Sequence, residues 1–299
     1  AALALAGCGE AAKVAPEATI GPRPQLAEPN KTLIPTVNVA TAVGWTDTAA
    51  PKPAQGLRVN ALARGLDHPR WVYTLPNGDV LVAESNKPPK PEGSSAGGLM
   101  GKIRNWVMGK VMGRAGANVP SANRITLLRD ADGDGAGEVR QVFLSNLSSP
   151  FGMALVGNEL FVANADALVK VPYTEGQTSA SAAPTVVTPL PAGINHHWTK
   201  NVIANAEGTK LYVTVGSNSN IGENGLAAEE GRAAIWEVDV KSGEKRLFAS
   251  GLRNPNGMAW HPETKALWTV VNERDEIGSD LVPDYLTSVK DGAFYGWPW

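Results

Sequence analysis

Apolar residues in this chain gather into short runs closed by Gly, Pro, Asn and Asp, and runs with helical period are scarce. That is the pattern of an all-β protein. The runs follow a repeated phrase. Gly65-Leu66-Asp67-His68-Pro69 leads into Arg70-Trp71-Val72, Asn146-Leu147-Ser148-Ser149-Pro150 into Phe151-Gly152-Met153, and Gly251-Leu252-Arg253-Asn254-Pro255 into Asn256-Gly257-Met258. A turn and an apolar run follow each copy, at Asp79–Glu84, Glu159–Asn164 and Ala266–Asn272. A weaker copy starts at Trp198 and continues through Asn201–Ala204 to Lys210–Gly216. The later copies recur at about fifty residues, the period of propeller blades.

The runs group into three four-strand units and the start of a fourth. The first takes Trp71–Leu75, Val80–Ala83, Arg124–Arg129 and Glu138–Leu144; the second Gly152–Val156, Leu160–Ala163, Ala167–Pro172 and Pro184–Pro189. The third takes Lys200–Ala204, Leu211–Val215, Ala233–Val240 and Glu244–Ser250; the fourth Gly257–Trp260, Leu267–Val271 and Leu286–Val289. One such unit cannot bury both its faces, so neighbours must pack radially. Three and a half units do not close a ring, and the expectation is an incomplete propeller, part of a larger one. Residues 86–119 lengthen the first unit. Lys102–Arg114 within them predicts a helix with Ile103, Val107, Met108, Val111 and Met112 on one face.

The ends refine this picture. Residues 1–8 close on Leu5-Ala6-Gly7-Cys8-Gly9, which looks like the tail of a bacterial lipoprotein signal and predicts lipid on Cys8. Residues 9–56, rich in Ala, Pro and Thr, read as a tether, with Thr32–Val39 a candidate extended stretch. The propeller part is then 57–299. A single cysteine forms no internal disulfide, so packing alone holds the fold. A net charge of −2 argues against a nucleic-acid partner. Nine tryptophans against five phenylalanines suit blade interfaces or sugar platforms.

Polar clusters fall at equivalent places in the repeat. Asn195-His196-His197-Trp198-Thr199-Lys200 precedes an inner strand, where a histidine can act as a base near neutral pH. Arg253-Asn254 holds the same place in the fourth unit, offering a carboxylate-binding fork beside an amide. Gly216–Gly225 and Asn272–Glu276 follow the matching second strands. All four loops are expected around one axis. Asp130, Asp132 and Asp134 alternate as in the front of a calcium loop. Gln141 stands where an EF-hand needs its acid, so this is a strand-joining loop, away from the axis. Neither a phosphate-cradling glycine loop nor a serine-nucleophile elbow is present.

Together, Gly65–Pro69, Phe151-Gly152-Met153-Ala154, His196–Lys200, Tyr212–Asn220, Arg253–Gly257 and Tyr295-Gly296-Trp297-Pro298 resemble the soluble-type quinoprotein sugar dehydrogenases, in particular their sorbosone dehydrogenase-like branch. The resemblance implies a six-bladed β-propeller with pyrroloquinoline quinone and calcium on its axis. It implies a catalytic histidine in the His196-His197 pair, with the choice between them open. It puts Arg253, Asn254 and Lys200 on the cofactor, and the carbonyls of Glu273 and Arg274 on its calcium. Asp284 and Tyr295 fall near a second calcium site of some members. The implied partners are a sugar or aldose-like substrate and an electron acceptor such as a cytochrome or quinone, outside the cytoplasm at a bacterial membrane. That family's later blades carry further basic cofactor contacts, so three and a half blades are expected to hold half of a quinone site. Two other readings remain. One is a calcium-dependent lactonase-type hydrolase with Glu84, Asn164, Asn218 and Asn272 around a metal; the other is a non-catalytic, lipid-anchored binding propeller.

Overall fold

The computed structural model describes residues 12–21, 23–30, 40–46, 49–89, 106, 109–110, 112–117, 119–193 and 195–299. Among the described residues, fifteen strands form four antiparallel sheets in consecutive order. The first sheet is β1 (Pro69–Thr74), β2 (Val80–Glu84), β3 (Arg124–Arg129) and β4 (Val139–Leu144). The second is β5 (Met153–Val156), β6 (Glu159–Ala163), β7 (Ala167–Pro172) and β8 (Thr185–Pro189). The third is β9 (Val202–Ala204), β10 (Lys210–Val215), β11 (Ala234–Asp239) and β12 (Lys245–Ser250). The fourth has three strands, β13 (Asn254–Trp260), β14 (Leu267–Asn272) and β15 (Tyr285–Val289). The fold is all-β and propeller-like, as the repeat predicts.

In the second and third sheets the second strand reads as a largely apolar run because both its faces are covered, whereas β14 of the fourth buries Leu267, Thr269 and Val271 and exposes Val270 and Asn272. Side chains along a strand alternate between faces. In β6, Leu160 and Val162 pack with Leu81, Ile125 and Phe143 of the first sheet. Phe161 and Ala163 turn the other way, onto Leu211 and Val213 of the third. In β10, Tyr212 faces onward to Leu267 and Val271 of the fourth. The second and third sheets thus each supply half of two cores and the first and fourth half of one, and burial of a side chain such as Phe161 contributes about 1.5–3 kcal/mol.

The phrase itself has a backbone cause. Its first residue is left-handed in all three copies: Gly65 at φ 65°, Asn146 at φ 59° and Gly251 at φ 74°. Glycine and asparagine tolerate that region best. The turn delivers the chain from the outer strand of one sheet to the inner strand of the next. The outer strand pairs repeat an irregularity too, with a register shift at Ile125/Thr126, Leu168/Val169 and Ile235/Trp236.

In the insertion, Trp106, Gly109, Lys110 and residues 112–114 are helical, as predicted there; Ile103, Val107, Met108 and Val111 lie outside the described residues. Cys8 and Thr32–Val39 also lie outside them. Part of the tether touches the fourth sheet's long loop: the Lys13 and Val14 amides donate to the Asp280 carboxylate, and the Asn30 amide to the Ile277 carbonyl. Among the described residues, no helix is long and apolar enough to cross a membrane.

Candidate active site

Inner strands β1, β5, β9 and β13 begin, and second strands β2, β6, β10 and β14 end, at the same edge of their sheets. The polar clusters predicted from the sequence therefore share one face. Direct bonds tie neighbours together there. Ser217 N donates to Arg253 O at 2.7 Å, His197 N to Ser217 O at 3.4 Å, and Gly152 N to Lys200 O at 3.0 Å.

Gly216 sets the approach of the third and fourth sheets. A Cβ there would stand 2.5 Å from His197 Cβ and 2.6 Å from Asn254 Oδ1. Only glycine lets these two residues flank the strand end. His197 Nδ1 lies 2.9 Å from Ser217 Oγ and 3.1 Å from Ser217 O. Ser217 Oγ already donates to Ser219 O at 2.6 Å. A carbonyl and a hydroxyl whose hydrogen is committed can only accept, so Nδ1 carries the proton and Nε2 keeps its lone pair. Burial, then the Arg253 guanidinium and His196, pull the His197 pKa down to about 3. The imidazole is neutral at pH 7. His196 is exposed and meets its neighbour edge to face, with ring centroids 4.6 Å apart.

Arg253 is 2 % exposed and braces the loops from within. It donates from Nε to Asn220 O at 3.0 Å, from Nη2 to Asn220 Oδ1 at 2.7 Å, and from Nη1 to the Glu273 carbonyl, and it pairs with Asp275 at 3.2 Å. Buried Glu229 ties the same loop, accepting from Asn218 N at 2.6 Å and from Ser219 Oγ. By contrast, the buried Oδ1 atoms of Asn254 and Asn256 have no partner among the described residues. Lys200 is fully buried and donates to Ala165 O at 2.6 Å. Burial, then nearby Arg232, lowers its pKa to about 7, with Asp166 opposing.

Glu273, Arg274 and Tyr295 line one cavity of about 280 Å³ with Tyr285, Trp297 and Trp299. Burial pushes the Glu273 carboxyl up. Asp284 turns instead to Asn272 Nδ2 and Glu273 N, both at 2.8 Å, and the Tyr295 hydroxyl donates to Ser288 O at 2.8 Å. In the first sheet's outer loop, Asp130, Asp132, Asp134 and Glu138 each bring one carboxylate oxygen to within 4.8 Å of the others, a donor set suited to a hard cation. Of the residues considered for a lactonase metal, Glu84 is buried and held by Arg124, with both bonds at 3.0 Å. Asn218 Oδ1 accepts from Asn224 at 2.7 Å. Sequence reasoning passed over one part of this face, where Arg70 stands over Phe151 and Trp198. The signal was the position just after the phrase's proline, held by Arg70 and Phe151 in successive copies.

This fold is that of a class of oxidoreductase propellers. Over 87 % of this chain and 63 % of the other, it superposes with TM-score 0.62 and 17 % identity on the calcium structure of the Trichoderma reesei carbohydrate-active enzyme of family AA12. The holo pyranose dehydrogenase PQQ domain from Coprinopsis cinerea follows, with TM-score 0.57, 18 % identity, and 82 % and 57 % of the two chains. The PQQ-bound aldose sugar dehydrogenase from Streptomyces coelicolor gives 0.51, 20 %, and 80 % and 65 %. The architecture is thus part of the six-bladed sugar-dehydrogenase propeller. The TrAA12-like family matches residues 121–285, over half of the chain, and the chain belongs to it. A curated relative, an uncharacterized protein of Borreliella burgdorferi, is 21 % identical over 163 residues, 51 % of this chain and 42 % of its own length. The chain spans under two thirds of the length of each of these relatives.

The unpartnered groups of the axial face are acceptors: the Nε2 lone pair of neutral His197 and the buried Oδ1 atoms of Asn254 and Asn256. They suit the donors that a pyrroloquinoline quinone and an alcohol bring, a pyrrole N–H and a hydroxyl, and leave the quinone's oxygens and carboxylates to other groups. The residues do not fit a calcium on the Glu273 carbonyl. That oxygen accepts from the Arg253 guanidinium, which puts positive charge beside the place the ion would take.

Proposed function

We propose that this chain belongs to a quinone-dependent dehydrogenase that oxidises a sugar or aldose-like alcohol, with His197 as the base. One observation carries this: Ser217 holds the His197 proton on Nδ1, so Nε2 is a ready acceptor on the axial face. His197 Nε2 takes the substrate hydroxyl proton. Pyrroloquinoline quinone, when bound, supplies the acceptor for the two electrons. Gly216 sets His197 against Asn254, and Arg253 keeps the surrounding loops in place. The imidazole is unprotonated across the neutral pH range, and the same burial that keeps it so weakens it as a proton acceptor. His196 packs on the ring of the base.

The reading extends the resemblance to the sorbosone dehydrogenase-like branch. It carries calcium on the Asp130–Asp134 loop, an acceptor cytochrome or quinone, and a periplasmic or cell-surface place on a bacterial membrane through lipid on Cys8. The test is dye-linked sugar oxidation by the full-length protein with added quinone and calcium. His197→Ala is expected to lower kcat by about 10²–10⁴-fold with cofactor affinity kept, the usual span for losing a general base. Loss of turnover in His196→Ala instead would move the base. Wild-type protein that binds quinone and oxidises no sugar would refute the reading.

A further inference from the structure

Arg70 opens β1 on the axial face. Its guanidinium carbon lies 5.9 Å from the centroid of Phe151 and 5.5 Å from that of Trp198. These rings come from the next two sheets and are themselves fixed. Phe151 is 4 % exposed and Trp198 9 %, and they meet edge to face at 6.3 Å. Trp71 also packs on Phe151, with ring centroids 5.3 Å apart. Arg70 is exposed above this aromatic floor.

Arg124, Arg129, Arg140, Arg232, Arg246 and Arg253 each donate to a carboxylate, carbonyl or amide oxygen, while Arg274 buries its Nε without a partner. Arg70, exposed and on the axial face, makes no hydrogen bond or ion pair among the described residues. Its charge is partly desolvated by the aromatic side chains, and burial lowers its pKa accordingly. A guanidinium so placed keeps its planar N–H fork for a partner from outside, and a fork of that shape matches a carboxylate. The rings cover one side of the guanidinium, so a pair formed there is screened less than one surrounded by water. Trp198 follows His197 directly in the chain, so the floor under Arg70 is continuous with the candidate base.

We propose that Arg70, seated on Phe151 and Trp198, is the residue of the axial face that recognises a carboxylate on the ligand. Two sources carry that group: the quinone cofactor, or an acidic sugar substrate such as a hexuronate. The first rests on the dehydrogenase reading and the second does not.

The experiment titrates full-length wild-type protein, Arg70→Leu and Arg70→Lys with pyrroloquinoline quinone, with glucuronate and with glucose, following tryptophan fluorescence. Arg70→Leu is expected to raise the Kd of one carboxylate probe by roughly 10–100-fold, with Arg70→Lys between it and wild type and glucose unaffected. A change confined to the quinone names the cofactor as the source. A change confined to glucuronate names the substrate. Glucuronate binding that depends on Arg70, in a protein that does not bind quinone, supports the inference while refuting the dehydrogenase reading. Quinone bound equally well by all three proteins, with glucuronate unchanged, overturns the inference and leaves that reading standing. Failure of wild type to bind either carboxylate overturns it as well.

Discussion

The two halves of the axial face solve opposite problems with the same kind of residue. On the third and fourth sheets, Arg253 is buried and its guanidinium is taken up by Asn220, Glu273 and Asp275. On the first and second sheets, Arg70 is exposed, lies on two aromatic rings and bonds to nothing among the described residues. A buried cation without partners is costly, so the loops around Arg253 supply acceptors. Arg70 keeps contact with water and can wait for a partner. One arginine therefore builds the face and the other remains available on it. An arginine's place on a site face does not by itself say which of these it does.

The sharpest way to break this contrast is Arg253→Leu. It strips buried acceptors of their donor and is expected to destabilise the protein by about 3 kcal/mol, read from urea unfolding. A loss below about 0.5 kcal/mol would mean that the polar half does not depend on its brace. Gly216→Ala comes next. Its methyl would overlap His197 and Asn254, so a loss of about 1–3 kcal/mol is expected, with a shifted His197 resonance.

A smaller effect comes from proton linkage. The folded-state pKa of Lys200 is about 7, against an ordinary lysine value of 10.5. Between those values the unfolded chain binds a proton that the folded chain does not, so Lys200 makes stability rise with pH from about 7 to 10.5. Lys200→Met should flatten that slope in a series of unfolding curves. His197 acts with the same sign lower down: stability falls as pH drops from 6.5 toward about 3, because only the unfolded chain takes up the proton. The least effect is expected from Arg70→Leu, whose stability should stay within about 0.5 kcal/mol of wild type. A large loss would make Arg70 structural, like Arg253.

Much of the fold was legible in the chain. Arg124–Arg129 and Ala167–Pro172 form strands over the ranges their pattern predicts, and the other strands agree to within a few residues. The reason is that the second strands of the two inner sheets are covered on both faces and must be largely apolar, while β14 alternates buried and exposed residues. The phrase was legible because its first position must accept a left-handed backbone. The loops bearing His197, Ser217, Arg253 and Glu273 were legible as polar segments at matching repeat positions. Where their side chains point was not. Arg253 and Lys200 look like ligands in sequence, yet both are buried, with partners supplied by segments distant in the chain. Arg70 drew no notice because the rings beneath it belong to other sheets.

The sequence by itself determined the strands, their grouping into sheets and the edge on which the polar loops gather, since alternation, turn chemistry and period are local properties of the chain. Only the tertiary structure decided which cation is sealed inside the loops and which stands free, and which nitrogen of His197 keeps its lone pair. Those outcomes depend on desolvation and on hydrogen bonds across sheet boundaries, and neither exists until neighbouring sheets pack.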